Sequence, residues 1–253
     1  MADLRDFGFA TRRTVPHDFT TKIFAEIGLD RYVVAASVLG DVYLAWSAHG
    51  VSAVRLAGDE AAFEAWYRER FDCNCVPALE DDEIASAARA KLGGEDAEVP
   101  IDLRSCSDFE QRVLRKASEI GRGHARPYGW LARELGAPDA KRAVGNALAS
   151  NPVPLLIPCH RVIRADNTSG NYVFGSEAKQ RLLEREGLDF EALAAYSRRG
   201  FRYVGCERGW FCLPTCGDVL SELDDGAHFG LRDLDDAHAH GLRPCGICRP
   251  VAA

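Results

Sequence analysis

Cys159 stands directly before His160 in the run Pro158-Cys159-His160-Arg161-Val162, after the apolar, strand-like segment Val153-Pro154-Leu155-Leu156-Ile157. The thiolate is the reactive form of cysteine, and a neighbouring base or cation favours it over the thiol, whose free pKa is about 8.5. The pair alone also fits a bland reading, in which the cysteine is an inert small hydrophobe. A second group is Cys212-x3-Cys216 and Cys245-x2-Cys248. Two close cysteine pairs suit tetrahedral zinc, with His228, His238 or His240 as rivals for one position. Cys73 and Cys75 have no second pair at ligand spacing and read as structural, and Cys106 and Cys206 as unliganded.

Nine cysteines without an apolar leader or a membrane-length apolar run point to metal and nucleophile chemistry rather than disulfides. The expectation is a soluble, cytoplasmic chain (nuclear if eukaryotic), monomeric, with no membrane partner. The formal net charge of −7 looks wrong for a nucleic-acid binder until it is divided by region. Residues 1–104 carry 11 basic against 19 acidic side chains, whereas residues 105–200 carry 15 against 11. Only the middle region has the footprint expected for phosphate contact. The acidic flanks predict modest affinity with a marked salt dependence.

The elements that must position these residues follow from periodicity. Thr20-Thr21-Lys22 leads into an amphipathic stretch of unassigned form. Tyr32–Ala36 and Val42–Trp46 are β-rich runs joined through Leu39-Gly40-Asp41, and Val51–Leu56 alternates as a third strand. Glu60–Phe71 has helical spacing with Phe63, Trp66 and Tyr67 on one face; Ala85–Leu92 reads as a further helix. Asp108 is placed to cap a helix through Leu114. Tyr128–Leu135, the turn Gly136-Ala137-Pro138, and Asp139–Ser150 then form a helix–turn–helix, with Asp139 as N-cap. Its second helix is rich in small residues, suiting close approach to another surface or tight core packing. Glu177–Glu186 is a helix stopped by Gly187, and Arg198-Arg199-Gly200 begins a linker.

From about Phe109 to Gly187 the chain closely resembles the O6-alkylguanine-DNA alkyltransferases. The resemblance rests on Lys141-Arg142-Ala143-Val144-Gly145, Asn151-Pro152 through Val162, Gly170-Asn171-Tyr172 and Leu182 to Gly187. It implies an α+β fold in three parts. Residues 1–104 would be a small, ribonuclease H-like supporting domain and 105–190 the helix–turn–helix alkyltransferase domain. Residues 201–253 would be a zinc module. It further implies repair of double-stranded DNA by irreversible, single-turnover transfer of an alkyl group, mainly methyl, from O6-alkylguanine (and O4-alkylthymine) to Cys159. No organic cofactor is implied. His160 would activate the thiol through a water, Glu186 orient His160, Asn151 tie down the turn, and Tyr128 donate to the base. Arg142 would fill the base stack as the nucleotide flips out, with Ala143 and Gly145 on the helix that approaches DNA. Tyr172, Val173 and Phe174 would line the pocket. Phe174 is expected to narrow it, favouring methyl over benzyl-sized adducts. Asn167 stands where that family often has Gly, and Asn tolerates the left-handed backbone.

The C-terminal cysteines, with Phe211 before the first and Arg243-Pro244 before the third, resemble the zinc domain of the Ada adaptive-response proteins. That resemblance implies Zn2+ on Cys212, Cys216, Cys245 and Cys248, with Cys212 at the position that accepts methyl from a methylphosphotriester. Leu213, Gly246 and Ile247 stand where Ada has basic residues, and Asp224, Asp225, Asp233, Asp235 and Asp236 add negative charge. A structural zinc module is therefore the leading expectation and phosphotriester repair the second. The rival to repair as a whole is a DNA-alkylation sensor signalling through the zinc module. A cysteine hydrolase built on Cys159, His160 and Glu186 is a remote third.

Overall fold

The computed structural model describes residues 29–79, 82–220 and 226–250. The Thr20–Lys22 stretch and Asp224–Asp225 lie outside these residues.

Strands β1 (Leu29–Ser37), β2 (Gly40–Ser47) and β3 (Gly50–Leu56) form an antiparallel meander. Helix α1 (Glu60–Phe71) then crosses to β4 (Asn74–Pro77), which pairs parallel to β1 and gives the order β3-β2-β1-β4. Alternation along the strands sorts their side chains to two faces. Tyr32 and Tyr43 pack with Phe63 and Tyr67 of α1 on one face. Leu44, Trp46, Val51 and Val54 join the main core on the other. Helix α2 (Glu83–Gly93) covers that second face, with Asp82 as its N-cap.

The second half is helical. Helix α3 (Asp108–Ser118) starts one residue earlier than it would with Asp108 as cap. Ser107 is the N-cap, and its hydroxyl and the Glu110 carboxylate satisfy each other's backbone N–H in a capping box. Helices α4 (Tyr128–Glu134) and α5 (Lys141–Ala149) form the helix–turn–helix. Here Asp139 is not the cap: the chain turns through residues 138–140 and α5 begins at Lys141, with Ala140 before it and no side-chain cap. The α5 N-terminus is thus left open. Val144, Ala147 and Leu148 bury one face of α5 beside Val113 and Leu114 of α3, while Arg142, Ala143 and Asn146 stay exposed.

Val153–Ile157 is not a strand. Prolines at 152 and 154 remove the N–H groups that a ladder would need. The segment instead folds into a buried turn, in which the Ile157 N–H bonds the Val153 carbonyl (3.0 Å) and Leu155 adopts φ 73°. The N-terminal sheet fixes its entry, because the Val54 N–H donates to the Pro152 carbonyl at 2.8 Å. A single helical turn, Cys159–Arg161, leads into β6 (Val162–Ile163), which pairs parallel with β5 (Arg126–Pro127).

Helix α6 (Ser176–Arg185) ends at Glu186, followed by Gly187 at φ 102°. Helix α7 (Phe190–Arg198) runs on to the residues that the sequence suggested as the start of a linker. Beyond it β7 (Tyr203–Cys206), β8 (Trp210–Cys212), β9 (His228–Leu231) and β10 (Arg243–Pro244) form a second sheet, ordered β10-β8-β7-β9 and flanked by the short α8 (Leu234–Ala239). Phe211, Leu231 and Leu242 give it a small core. The result is a mixed α+β molecule; among the described residues no helix is long and apolar enough to cross a membrane.

Candidate active site

Cys159 lies at the base of a cavity of about 430 Å3, walled by Tyr128, Arg142, Gly145, Tyr172 and Val173. The residue is 4% exposed. The Asn151 side-chain amide donates to Cys159 Sγ (3.1 Å) and to the Ile157 carbonyl (3.3 Å), while its oxygen accepts from the Val153 N–H (3.0 Å). One asparagine therefore ties both ends of the turn and touches the sulfur. Burial pushes the Cys159 thiol up to about 11, against the Asn151 hydrogen bond and the positive charge of Lys179, which favour the thiolate.

His160 is buried beside Cys159, and its Nε2 lies 3.1 Å from Glu186 Oε1. Its other ring nitrogen, Nδ1, is buried without a hydrogen-bond partner among the described residues. Burial lowers the His160 pKa below its ordinary value although Glu186 pulls it upward, so the neutral imidazole is favoured. Glu186 is buried too, which alone would raise its pKa. The hydrogen bonds from His160 and Arg161 outweigh that and hold it at about 2.

Two residues of this site carry no role in the sequence reading. Arg161 grips Glu186 with Nε and Nη2 at 2.8 and 2.7 Å and donates Nη1 to the Ile120 carbonyl at 2.7 Å. Lys179 is 1% exposed; its ammonium donates to the carbonyls of Val162 (2.5 Å) and Asn171 (3.2 Å) and sits 5.7 Å from the Tyr128 ring centroid. Burial lowers the Lys179 pKa to about 8. Arg161 follows His160 directly and could have been noticed. Lys179 lies in a solvated-looking helix, Ser-Glu-Ala-Lys-Gln-Arg, and nothing local marks it as buried.

The pocket residues are brought together unevenly. Tyr128, Arg142, Gly145, Tyr172 and Val173 line the cavity, and Val173 is 44% exposed at its mouth. Ala143 is on the exposed side of α5 and does not line it. Phe174 is not a wall residue either: its ring packs edge-on against Tyr172 at 5.6 Å, so it acts on the cavity only through Tyr172. Gly170 has φ 74°, a left-handed conformation that strains any side chain. Asn167 has φ 64°, the left-handed conformation expected of it.

A second cluster lies on the far side of β5. The donor sulfurs of Cys212, Cys216, Cys245 and Cys248 lie within 4.8 Å of one another. Four soft sulfur donors that close together fit Zn2+. None of the three candidate histidines replaces a sulfur in this group. Cys73, Cys75, Cys106 and Cys206 are apart from it.

Comparison with known proteins agrees with this geometry. Residues 108–188 match the family model of the 6-O-methylguanine DNA methyltransferase DNA-binding domain. A methylated-DNA–protein-cysteine methyltransferase of Methanothermobacter thermautotrophicus is 32% identical over 154 residues, covering 60% of this chain and 82% of that protein. The chain belongs to the methylated-DNA–protein-cysteine methyltransferase family. Across 62% of this chain and 92% of the other, the methyltransferase fold also matches the crystal structure of the Mycobacterium tuberculosis O6-methylguanine methyltransferase, with 34% identity and a TM-score of 0.50. The bifunctional transcriptional activator/DNA repair enzyme Ada of Escherichia coli is 34% identical over 165 residues, which are 64% of this chain and 46% of Ada.

Proposed function

We propose that this methyltransferase repairs double-stranded DNA by moving the alkyl group of O6-alkylguanine, chiefly methyl, onto Cys159. The observation that carries this reading is a buried Cys159 thiol at the base of a cavity whose mouth is formed by α5 of the helix–turn–helix. A lesion in duplex DNA must leave the stack to reach such a thiol, at a cost of a few kcal/mol. Arg142, exposed at the cavity rim, is suited to fill the gap, because its planar guanidinium stacks and carries charge together.

In the transfer, the Cys159 sulfur forms a bond to the alkyl carbon as the bond from that carbon to guanine O6 breaks, and its electron pair stays with the base. The thiol proton leaves toward His160 Nδ1, the buried ring nitrogen without a partner, while Glu186 holds the opposite nitrogen. The Tyr128 hydroxyl at the pocket wall donates a proton to the departing base and regains one from solvent, as His160 releases its own. The product is a thioether with no leaving group, so each molecule acts once. Lys179 lowers the cost of the transient thiolate through its charge.

The N-terminal sheet is read as ribonuclease H-like, because a three-stranded meander followed by a helix and a strand parallel to β1 is that topology. The sulfur cluster is read as a structural zinc site: Cys212, Cys216, Cys245 and Cys248 would hold the ion, which supplies folding energy when bound. One observation favours the second, phosphotriester reading of Cys212. Cys212, Cys216 and Cys245 face a cavity of about 840 Å3 that Arg122 and His124 also line.

The test is peptide mapping by mass after incubation with randomly methylated duplex DNA. One methyl on the Cys159 peptide is expected. A further methyl on the Cys212 peptide would add phosphotriester repair, and none on either would overturn the repair reading in favour of a sensor.

A further inference from the structure

Two arginines are buried among the described residues, and their surroundings differ. Arg31 meets Asp82 at 2.6 Å. Arg126, 3% exposed, meets no carboxylate among the described residues. Its Nη1 donates to the carbonyls of Ala125 (2.8 Å) and Thr215 (3.2 Å), and its Nη2 lies 3.8 Å from Cys216 Sγ. Burying a guanidinium without an opposite charge is costly. The carbonyls satisfy Nη1, and the Trp130 ring lies 5.7 Å from the guanidinium carbon, but neither carries a negative charge. Zinc bound by four thiolates carries a net charge of −2, so the loaded cysteine cluster is the counter-ion this arginine faces.

The position of Arg126 gives that contact a reach. It opens β5, where it pairs with Val162, the residue directly after the Cys159–Arg161 turn, while Pro127 pairs with Ile163. Two residues on is Tyr128, a wall of the alkyl-transfer cavity. The cysteine module grips the same strand from its other side. Thr215 and Ala125 exchange a backbone bond at 2.9 Å and a hydroxyl bond at 2.7 Å, and the Trp130 indole N–H donates to the Cys248 carbonyl at 2.6 Å.

We propose that Arg126 is a positioning residue for alkyl transfer, through which the metal-loaded cysteine cluster holds β5, and with it Tyr128 and the Cys159 turn, in place. The inference rests on the zinc reading of the cluster. Its distinctive consequence is that removing the arginine relieves the metal-free protein, since what metal loss leaves behind is an uncompensated buried charge.

The full-length chain, loaded and stripped of zinc by a chelator, is compared by amide hydrogen exchange of the peptides over residues 125–128 and 160–164. Metal content, zinc affinity and single-turnover transfer rate are measured alongside. In the wild type, stripping is expected to speed exchange in both peptides and slow transfer, each by about tenfold, a usual size for coupling between sites. Arg126→Met is expected to bind zinc about tenfold more weakly, yet its metal-free form should exchange more slowly in these peptides than the metal-free wild type. A merely packing role predicts the reverse. Should Arg126→Met not fold, Arg126→Lys decides, since it keeps the charge: zinc-dependent protection that persists supports the proposal, and its loss overturns it. One zinc per chain with exchange indifferent to its removal overturns the coupling but leaves the zinc reading intact. A chain that binds no zinc overturns the zinc reading itself.

Discussion

Arg161 holds the Glu186 carboxylate by both oxygens, and the oxygen nearer His160 serves both residues at once. A bidentate guanidinium fixes the plane of a carboxylate, and here that plane fixes the imidazole. Glu186→Gln keeps the shape but removes the charge. We expect the single-turnover transfer rate to fall about 100-fold, the lower range for loss of general acid–base function. A rate within a few-fold of wild type would remove Glu186 from the mechanism.

The acid limb of the transfer reaction follows from the same group. Burial lowers the His160 pKa, and Glu186, held at about 2, remains a carboxylate throughout the physiological range. The neutral imidazole therefore persists below the pH at which an ordinary histidine, near 6.5, becomes charged. Transfer rates measured from pH 8 downward should stay level through pH 6.5 and decline only below it. The Glu186 contribution to stability is present above its unfolded value of about 4.5 and is lost as pH falls toward 2.

Asn151→Ala should be costly in two ways. It leaves the Val153 N–H and the Ile157 carbonyl without their side-chain partner in a buried turn, a loss of about 1–3 kcal/mol. It also removes the donor to Cys159 Sγ. Thermal melts should show the destabilisation, and the transfer rate should fall even well below the melting temperature. A variant that is destabilised but transfers at the wild-type rate would make Asn151 purely structural.

Burial works against the charge of Lys179. Its pKa is about 8 folded and about 10.5 unfolded, so the folded state gives up the proton first. The destabilisation is full below pH 8 and fades as pH rises to 10.5. Cys159 titrates in the opposite sense, so the comparison belongs in a Cys159→Ala background. There, adding Lys179→Met should flatten the rise in melting temperature between pH 8 and 10. With Cys159 present, Lys179→Met should slow thiol alkylation at pH 8. An unchanged alkylation rate would refute electrostatic support of the sulfur.

Val173 and Tyr172 line the cavity, with the Phe174 ring packed on Tyr172, so we expect them to limit adduct size. Methyl should be transferred faster than benzyl, and Phe174→Ala should narrow the difference by letting the Tyr172 ring move. Equal rates for both adducts in the wild type would refute the size preference.

Much of this site was legible in the sequence because its parts lie close along the chain: Cys159 and His160 are adjacent, and Asn151 precedes them by one turn's length. Strand alternation and helical spacing located the first sheet and the helix–turn–helix for the same reason. What was not legible depends on pairings that no local pattern encodes. Lys179 is polar among polar neighbours and is buried only because α6 lays it against the Val162 carbonyl. Asp108 and Asp139 are plausible caps, yet Ser107 takes the first place because it forms a capping box with Glu110, and α5 begins at Lys141 with no side-chain cap. Val153–Ile157 is apolar enough for a strand, but two prolines make it a turn. Phe174 was assigned to the wall because a sequence gives order along the chain and not the direction of a ring.

The burial of Cys159 also bears on how long an unused molecule keeps its single chance. Burial pushes the thiol pKa up to about 11, so at neutral pH the sulfur is almost wholly thiol. Peroxides and soluble alkylating agents meet a dormant sulfur. Reaction belongs to a base in the cavity that holds its alkyl carbon against the sulfur.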